Sequence, residues 1–137
     1  MSTYHGPPQS LGQRLALAGA TLTTSYTGGD SLGLKGTAAT GASLRAVFAA
    51  GSTLTSIEFR WEVSDDGTTW EPVAGVRGSD GVVLNELSLA KVDGSTVREV
   101  FSTESHTDRP YVRLVAKHTG GAAAAGDKAQ ADVRFVP

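Results

Sequence analysis

Cysteine is absent from this sequence of 137 residues. A chain without thiols forms no disulfide bridge, thiolate zinc site or cysteine nucleophile, and its folding does not depend on an oxidising compartment. Long apolar runs are also missing, so no segment is long enough to cross a bilayer as a helix. The first ten residues, MSTYHGPPQS, have neither a basic nor an apolar stretch. We therefore expect no secretory signal there.

Neither sign of charge is in excess. Lysine and arginine number 12, aspartate and glutamate number 14, and the formal net charge is −2. Proteins that bind nucleic acid or anionic membranes usually carry a basic excess, so we expect no nucleic acid and no membrane as partners. The chain is long enough for one domain with its own core. Its 17 glycines are typical of an all-β protein with many turns.

The clearest pattern is a β-hairpin between Ser56 and Val73. Apolar residues alternate with charged ones from Ile57 to Val63, and this period of two puts the apolar set on one face of a strand. Asp66 and Gly67 then break the alternation, and Asp-Gly supplies the positive φ that a tight turn needs. Trp70 opens the return strand. We predict a half-buried hairpin with positive φ at Gly67.

The remaining pattern gives about eight strands and no long amphipathic helix. The other strands are predicted at residues 14–27 with a bend at Gly19, and at 42–49, 82–90, 97–102, 111–118 and 131–136, with a hairpin turn at Asp93-Gly94. The economical solution is an all-β, antiparallel β-sandwich, jelly-roll-like, over residues 14–137. We predict a shared core of Phe59, Trp61, Leu114, Val133 and Phe135.

Residues 1–13 are predicted to form an extended N-terminal arm. Gly6, Pro7 and Pro8 oppose a helix and favour extended backbone. Such an arm can wrap a neighbouring surface or add a strand to a sheet edge. Its apolar anchors are Tyr4 and Leu11, and its polar anchor is His5. We expect these three residues to contact another chain, either a second copy or a partner subunit.

No set of residues points to catalysis. Ser105, His106 and Asp108 are close in sequence, but the partners of a catalytic triad normally converge from separate parts of a fold. We interpret them as a solvated loop and expect no catalytic residue and no enzyme activity.

No residue pattern points to a metal site either. Four aspartates lie near glycines, where turn chemistry explains them: Asp65, Asp66, Asp80 and Asp93. No histidine pair has zinc-site spacing. We expect no metal and no cofactor.

Two features of the sequence each have two possible interpretations. Charges of mixed sign lie on the strands, and they form either a solvated outer face or a polar contact face for another protein: Glu58, Arg60, Glu62, Arg98, Glu99, Arg113 and Arg134. The second is Trp70, which either packs over its hairpin or is exposed. An exposed tryptophan could stack on a sugar ring or anchor a protein interface.

The segment from Ser64 to Trp70 reads S-x-D-G-x-x-W, and Arg109 to Leu114 reads R-P-Y-V-R-L. The first resembles a hairpin of discoidin-type, galactose-binding jelly rolls, and the second is similar to the strand before their final loop. This resemblance implies a glycan-binding module whose surface is formed by Trp70 and the loop tips.

The same hairpin in a short, cysteine-free chain rich in glycine, alanine and threonine also resembles the β-sandwich decoration, or cement, proteins of tailed phages. The resemblance implies a structural virion protein that binds and stabilises the capsid. Its partners would be the major capsid protein or other virion subunits, it would form a homo-oligomer, and it would reside in the virion after assembly in the host cytoplasm. A tail-associated virion protein is the alternative. The interface residues would be Tyr4, His5, Leu11 and Trp70.

Overall fold

A computed structural model describes residues 9–33, 39–103 and 109–136, with the side chains of residues 9–11, 39, 135 and 136 left out of the description. Within these ranges the chain forms a short 3-10 turn, Gly19–Thr21, and eleven strands: β1 (Gln9–Ala18), β2 (Leu32–Gly33), β3 (Ala39–Val47), β4 (Ser56–Ser64), β5 (Glu71–Val73), β6 (Gly75–Arg77), β7 (Val83–Leu84), β8 (Leu87–Ala90), β9 (Thr96–Thr103), β10 (Tyr111–Thr119) and β11 (Lys128–Val136).

The strands form two sheets that enclose one apolar core, which confirms the predicted antiparallel sandwich. One sheet has six strands in the order β1-β11-β3-β9-β6-β7. The other has the order β2-β10-β4-β5, with β8 also paired to β4. Phe59, Trp61, Leu114 and Val133 are each at most 2% exposed and belong to the core, as predicted. The side chain of Phe135 lies outside the description.

The first strand differs from its prediction at both ends. β1 pairs with β11 from Gln9 onward, so it includes the last five residues of the predicted arm, while residues 1–8 lie outside the described ranges. The predicted continuation to Thr27 is wrong, because β1 ends at Ala18. Gly19 has a φ of 57° and so makes the predicted bend. The Thr21 hydroxyl then closes the turn by donating to the carbonyl of Ala18 at 2.8 Å.

The strand predicted at residues 82–90 and the hairpin turn predicted at Asp93-Gly94 would each stay within one sheet. In the structure, the chain passes from one sheet to the other at both places. The single strand predicted over residues 82–90 is two strands, with β7 in the six-stranded sheet and β8 in the five-stranded sheet. The break falls at Asn85 and Glu86. Gly94 has the positive φ of a turn, 64°, but the turn joins β8 to β9 across the sandwich and is not a hairpin. Alternation along a strand shows an inward face, and it cannot show which sheet the strand joins.

The predicted hairpin is confirmed as β4 and β5, joined by the loop at residues 65–70. Gly67 has a φ of 78°, as predicted. β10 pairs with the whole of β4 on one side. β5 and β8 divide the other side between them, β5 opposite residues 61–63 and β8 opposite residues 56–59. The hairpin loop therefore projects from one end of the five-stranded sheet.

A close contact at Gly29 gives a test of how the segment after β1 packs. Gly29 has a φ of 78°, and a Cβ atom there would overlap the backbone oxygen of Leu114 in β10. Gly51 has a similar φ of 75° with open space around it. Gly51→Ala should cost about 1–2 kcal/mol for the left-handed conformation. Gly29→Ala should cost a further ~1–3 kcal/mol for the overlap. Thermal unfolding of the two variants measures the difference, and equal losses would contradict this packing.

Candidate interaction site at the hairpin loop

The hairpin loop is held by side chains of its own motif. The buried Ser64 hydroxyl accepts hydrogen bonds from the backbone N–H groups of Asp66 (3.2 Å) and Gly67 (2.9 Å) and donates to the Asp66 carboxylate (2.9 Å). The same carboxylate oxygen accepts from the backbone N–H groups of Thr68 and Thr69, both at 2.8 Å. Serine, aspartate and glycine in S-x-D-G thus satisfy the loop backbone and leave the loop with one conformation.

These bonds favour the ionised form of Asp66. The backbone N–H groups of Thr69 and Thr68, followed by the Ser64 hydroxyl, hold the pKa of this carboxyl well below its usual range. The side chain is therefore charged at neutral pH, and its charge is directed at the loop backbone.

Arg109 ties the loop to the chain before β10. Its Nε donates to the Asp65 carboxylate at 2.6 Å, and its Nη1 donates to the Glu71 carboxylate at 3.2 Å. The hydrogen bond and the charge of Arg109 both lower the pKa of Glu71. Together with Asp66 and Thr69, these residues line a shallow polar hollow on the loop.

Trp70 closes the loop and is partly exposed. The Arg113 guanidinium lies over its ring, with Cζ 4.2 Å from the ring centroid. Arg113 is fixed in turn by Glu62, since its Nε and Nη2 lie 2.8 and 2.7 Å from Oε1 of that carboxylate. Glu62 is only 5% exposed and also binds Arg60. A cation–π contact therefore holds the ring, and the arginine that makes this contact is paired with a buried carboxylate, so the ring is supported by the chain itself.

Other charged side chains on the outer face of the five-stranded sheet also contact residues of the same chain. Arg60 and Lys117 lie 4.0 and 4.7 Å from the ring centroid of Tyr26, and Lys117 contacts Glu58 at 3.6 Å. Burial, followed by the charges of Glu86 and Glu58, raises the pKa of Tyr26 above its ordinary value. Glu58, Arg60, Glu62 and Arg113, four of the strand charges left open above, thus form contacts within the chain.

Of the predicted interface residues, only Trp70 has a described side chain. Leu11 lies in β1, with its side chain outside the description, and Tyr4 and His5 lie outside the described residues, as do Ser105, His106 and Asp108. The sequence patterns missed the roles of Arg109 and Arg113. Arg113 lies opposite Glu62 in the β4–β10 pairing. The signal was two opposite charges on strands predicted to share one core, but the pairing of these strands and their alignment were unknown.

The four turn aspartates all accept hydrogen bonds from the chain. Asp65 and Asp66 bind as described above. Asp80 accepts from Arg77 and from the backbone N–H of Val82, and Asp93 accepts from the backbone N–H of Gly51. Within residues 9–33, 39–103 and 109–136, no three histidine, aspartate or glutamate side chains gather as a metal site would require. No helix in these ranges is long and apolar enough to span a membrane.

Comparison with known proteins adds information on the fold. No protein-family model matches the chain, and no curated protein matches it. Among solved structures, the chain is similar to the SPBc2 prophage-derived protein YomS, with a TM-score of 0.52 and 10% sequence identity. The match covers 98% of this chain and 100% of that chain. At this identity the similarity shows that the two chains share a fold over nearly their whole lengths.

The charge of Asp66 gives a pH-dependent prediction. Its pKa is lower in the folded state, so its contribution to stability is complete above the unfolded value of about 3.9 and is lost as the pH falls towards the folded value. Asp66→Asn should lower the melting temperature at pH 7, and the difference from wild type should shrink below about pH 4. Asp65→Asn, which removes a charge from the same loop and leaves the amide contacts intact, should have a smaller effect at pH 7. A difference that does not change with pH would contradict this account.

Proposed function

We propose that the chain is a structural virion protein of a phage and that it decorates the capsid, where it binds and stabilises the shell. The observation that carries the proposal is the shared fold with a prophage-derived protein over 98% of this chain and 100% of the other. The composition and hairpin resemble those of phage decoration proteins, which adds independent support.

The geometry of the hairpin loop supports a binding role. Tryptophan and arginine are the residues most often found at the energetic centres of protein interfaces. Trp70 and Arg113 lie together, and Glu62 holds them in place. A side chain that is already ordered loses less conformational entropy when a partner covers it. The loop therefore presents the ring of Trp70 as an ordered aromatic surface, and Arg113 and Glu62 hold that ring in place.

The proposed partners are the major capsid protein or other virion subunits, including further copies of this chain. A cement protein stabilises a shell through binding energy alone, because each additional contact across subunits makes their separation less favourable. It needs no catalytic group, and we propose no enzymatic activity. Location on the tail is the alternative within the same class, and in either case the protein would reside in the virion.

A glycan-binding module is a second candidate, supported by the polar hollow on the loop that ends at Trp70. A partly exposed aromatic ring can stack on the apolar face of a sugar. The neighbouring Asp65, Glu71 and Arg109 offer acceptors and donors for hydroxyl groups. Because Arg113 covers one face of the ring, a sugar would have to use the part that remains exposed.

Truncating Trp70 tests both candidates. Trp70→Ala should weaken co-sedimentation with particles that lack this chain by about 30-fold, the equivalent of a 2 kcal/mol interface anchor. Val92→Ala is the matched control, because Val92 is 53% exposed and lies near the opposite end of the sandwich. Full particle binding by Trp70→Ala would remove Trp70 from the interface. Sugar binding by the wild type without particle binding would favour the glycan-binding module.

Two truncations test the predicted arm separately from the fold. Removing residues 1–8 keeps every described pair of β1, whereas removing residues 1–12 also deletes the pairs Gln9–Phe135 and Ser10–Arg134. The shorter truncation should keep the melting temperature and weaken particle binding. The longer one should also melt at a lower temperature. Undiminished particle binding after removal of residues 1–8 would show that Tyr4 and His5 have no part in docking.

A further inference from the structure

The six-stranded sheet has an outer face that contrasts with the internally paired face of the other sheet. Inward residues of its central strands, such as Leu44, Ala131 and Phe101, are buried in the core. The residues between them point outward. We call this outward set the basic face: Ser43, Arg45 and Val47 of β3, Arg98, Val100 and Ser102 of β9, Lys128, Gln130, Asp132 and Arg134 of β11, with Val76 of β6 and Val83 of β7 beside them.

The charges on the basic face do not cancel. It carries four cationic side chains and one carboxylate, Asp132, although the whole chain has a net charge of −2. Asp132 is already bound to Arg45 at 2.8 Å. In the part of the chain that the structure describes, Arg98, Lys128 and Arg134 have no ion pair within 4.0 Å. Among the described residues, the face therefore carries positive charge that no carboxylate of the chain neutralises.

Two of these cations lie directly opposite each other. Arg45 of β3 pairs in register with Arg98 of β9. Like charges in directly opposite positions on neighbouring strands are destabilising, because their Cβ atoms are only about 4.5–5.5 Å apart. Arg45 is engaged by Asp132 at 2.8 Å and by Gln130 at 3.4 Å, both on β11. Among the described residues, Arg98 is therefore the member of the pair without a carboxylate, and a carboxylate from outside the chain that binds Arg98 would offset the repulsion. Arginine binds carboxylates well, since its planar group donates two parallel hydrogen bonds.

Beside these cations lies an apolar patch. Val83 is 50% exposed and Val100 is 47% exposed, and both lie on the outward side with the partly exposed Val76. Protein interfaces commonly have an apolar centre and a polar rim, and arginine is enriched in them. The phosphate backbone of a nucleic acid could bind the cations but would bury no apolar surface against the exposed valines. The combination therefore favours a protein partner over nucleic acid.

We propose that the basic face docks onto an acidic surface of a partner protein, whose carboxylates bind Arg98, Lys128 and Arg134 and whose apolar residues cover Val83 and Val100. The inference rests on the proposed function in one respect, since it takes the partner to be a subunit of the virion. It specifies the chemistry of the partner's surface. It also adds a second contact region, on the six-stranded sheet, to the one at the Trp70 loop of the five-stranded sheet.

The variant Arg98→Glu separates docking from folding. A glutamate at this position would face Arg45 and replace a repulsive cross-strand pair with an attractive one, so the melting temperature should not fall. Binding to particles that lack this chain should fall by at least tenfold, because an acidic partner would now be repelled. Lys91→Glu is the control for net charge, at an exposed residue that follows β8 in the other sheet; because Lys91 Nζ donates to the Ser52 carbonyl at 2.9 Å, the melting temperature of this variant is measured as well. The control should bind particles as the wild type does.

The outcomes distinguish the inference from the function on which it rests. Equal particle binding by the wild type and Arg98→Glu would overturn the basic face as a docking surface and leave the virion role standing. If the wild type binds no particles, the virion role fails, and poly-L-glutamate then serves as the carboxylate probe. If immobilised poly-L-glutamate retains the wild type and Lys91→Glu at low salt but does not retain Arg98→Glu, the result would support the basic face as a docking surface. Equal retention of all three, or tighter binding of the wild type to duplex DNA, would overturn it.

Discussion

The alignment of β4 with β10 is the constraint on which the rest of the structure depends. The two strands pair along their whole lengths, from Ser64 opposite Tyr111 to Ser56 opposite Thr119. This alignment puts Trp61 beside Leu114 in the core and Glu62 beside Arg113 on the outer face. A shift of one residue would exchange the two faces, with charges in the core and aromatic rings in water. The cost of that exchange fixes a single alignment.

The candidate site at the hairpin loop follows from the same alignment. Because Arg113 faces Glu62, its guanidinium is held where the ring of Trp70 meets it at the end of β4. The loop supplies the other half of the arrangement, since Ser64 and Asp66 satisfy its backbone and keep it in one conformation. Arg113 thus supports the ring of Trp70, and the hydrogen bonds of Ser64 and Asp66 support the loop that carries it. A surface that is ordered in advance is suited to contact with a preformed partner.

The two outer faces of the sandwich differ in how they use charge, although both look mixed in sequence. On the five-stranded sheet, Glu62 lies between Arg60 and Arg113, and the cations are neutralised within the chain. On the six-stranded sheet, Asp132 pairs with Arg45, and no carboxylate among the described residues pairs with Arg98. A net charge of −2 conceals this asymmetry. Contacts with other proteins respond to the local arrangement of charge and to its screening by salt, more than to the total.

The all-β class, the apolar face of β4 and the hairpin with its glycine at positive φ could be predicted from the sequence, because these features depend on residues a few positions apart. The sequence could not determine that residues 82–90 change sheets or that Asp93-Gly94 joins two sheets, since alternation is the same whichever sheet receives a strand. Trp70 was identified from sequence as a candidate contact, but its partner Arg113 was not. That pairing and the opposition of Arg45 and Arg98 became visible only in the folded protein, because both depend on alignments between strands distant in the chain.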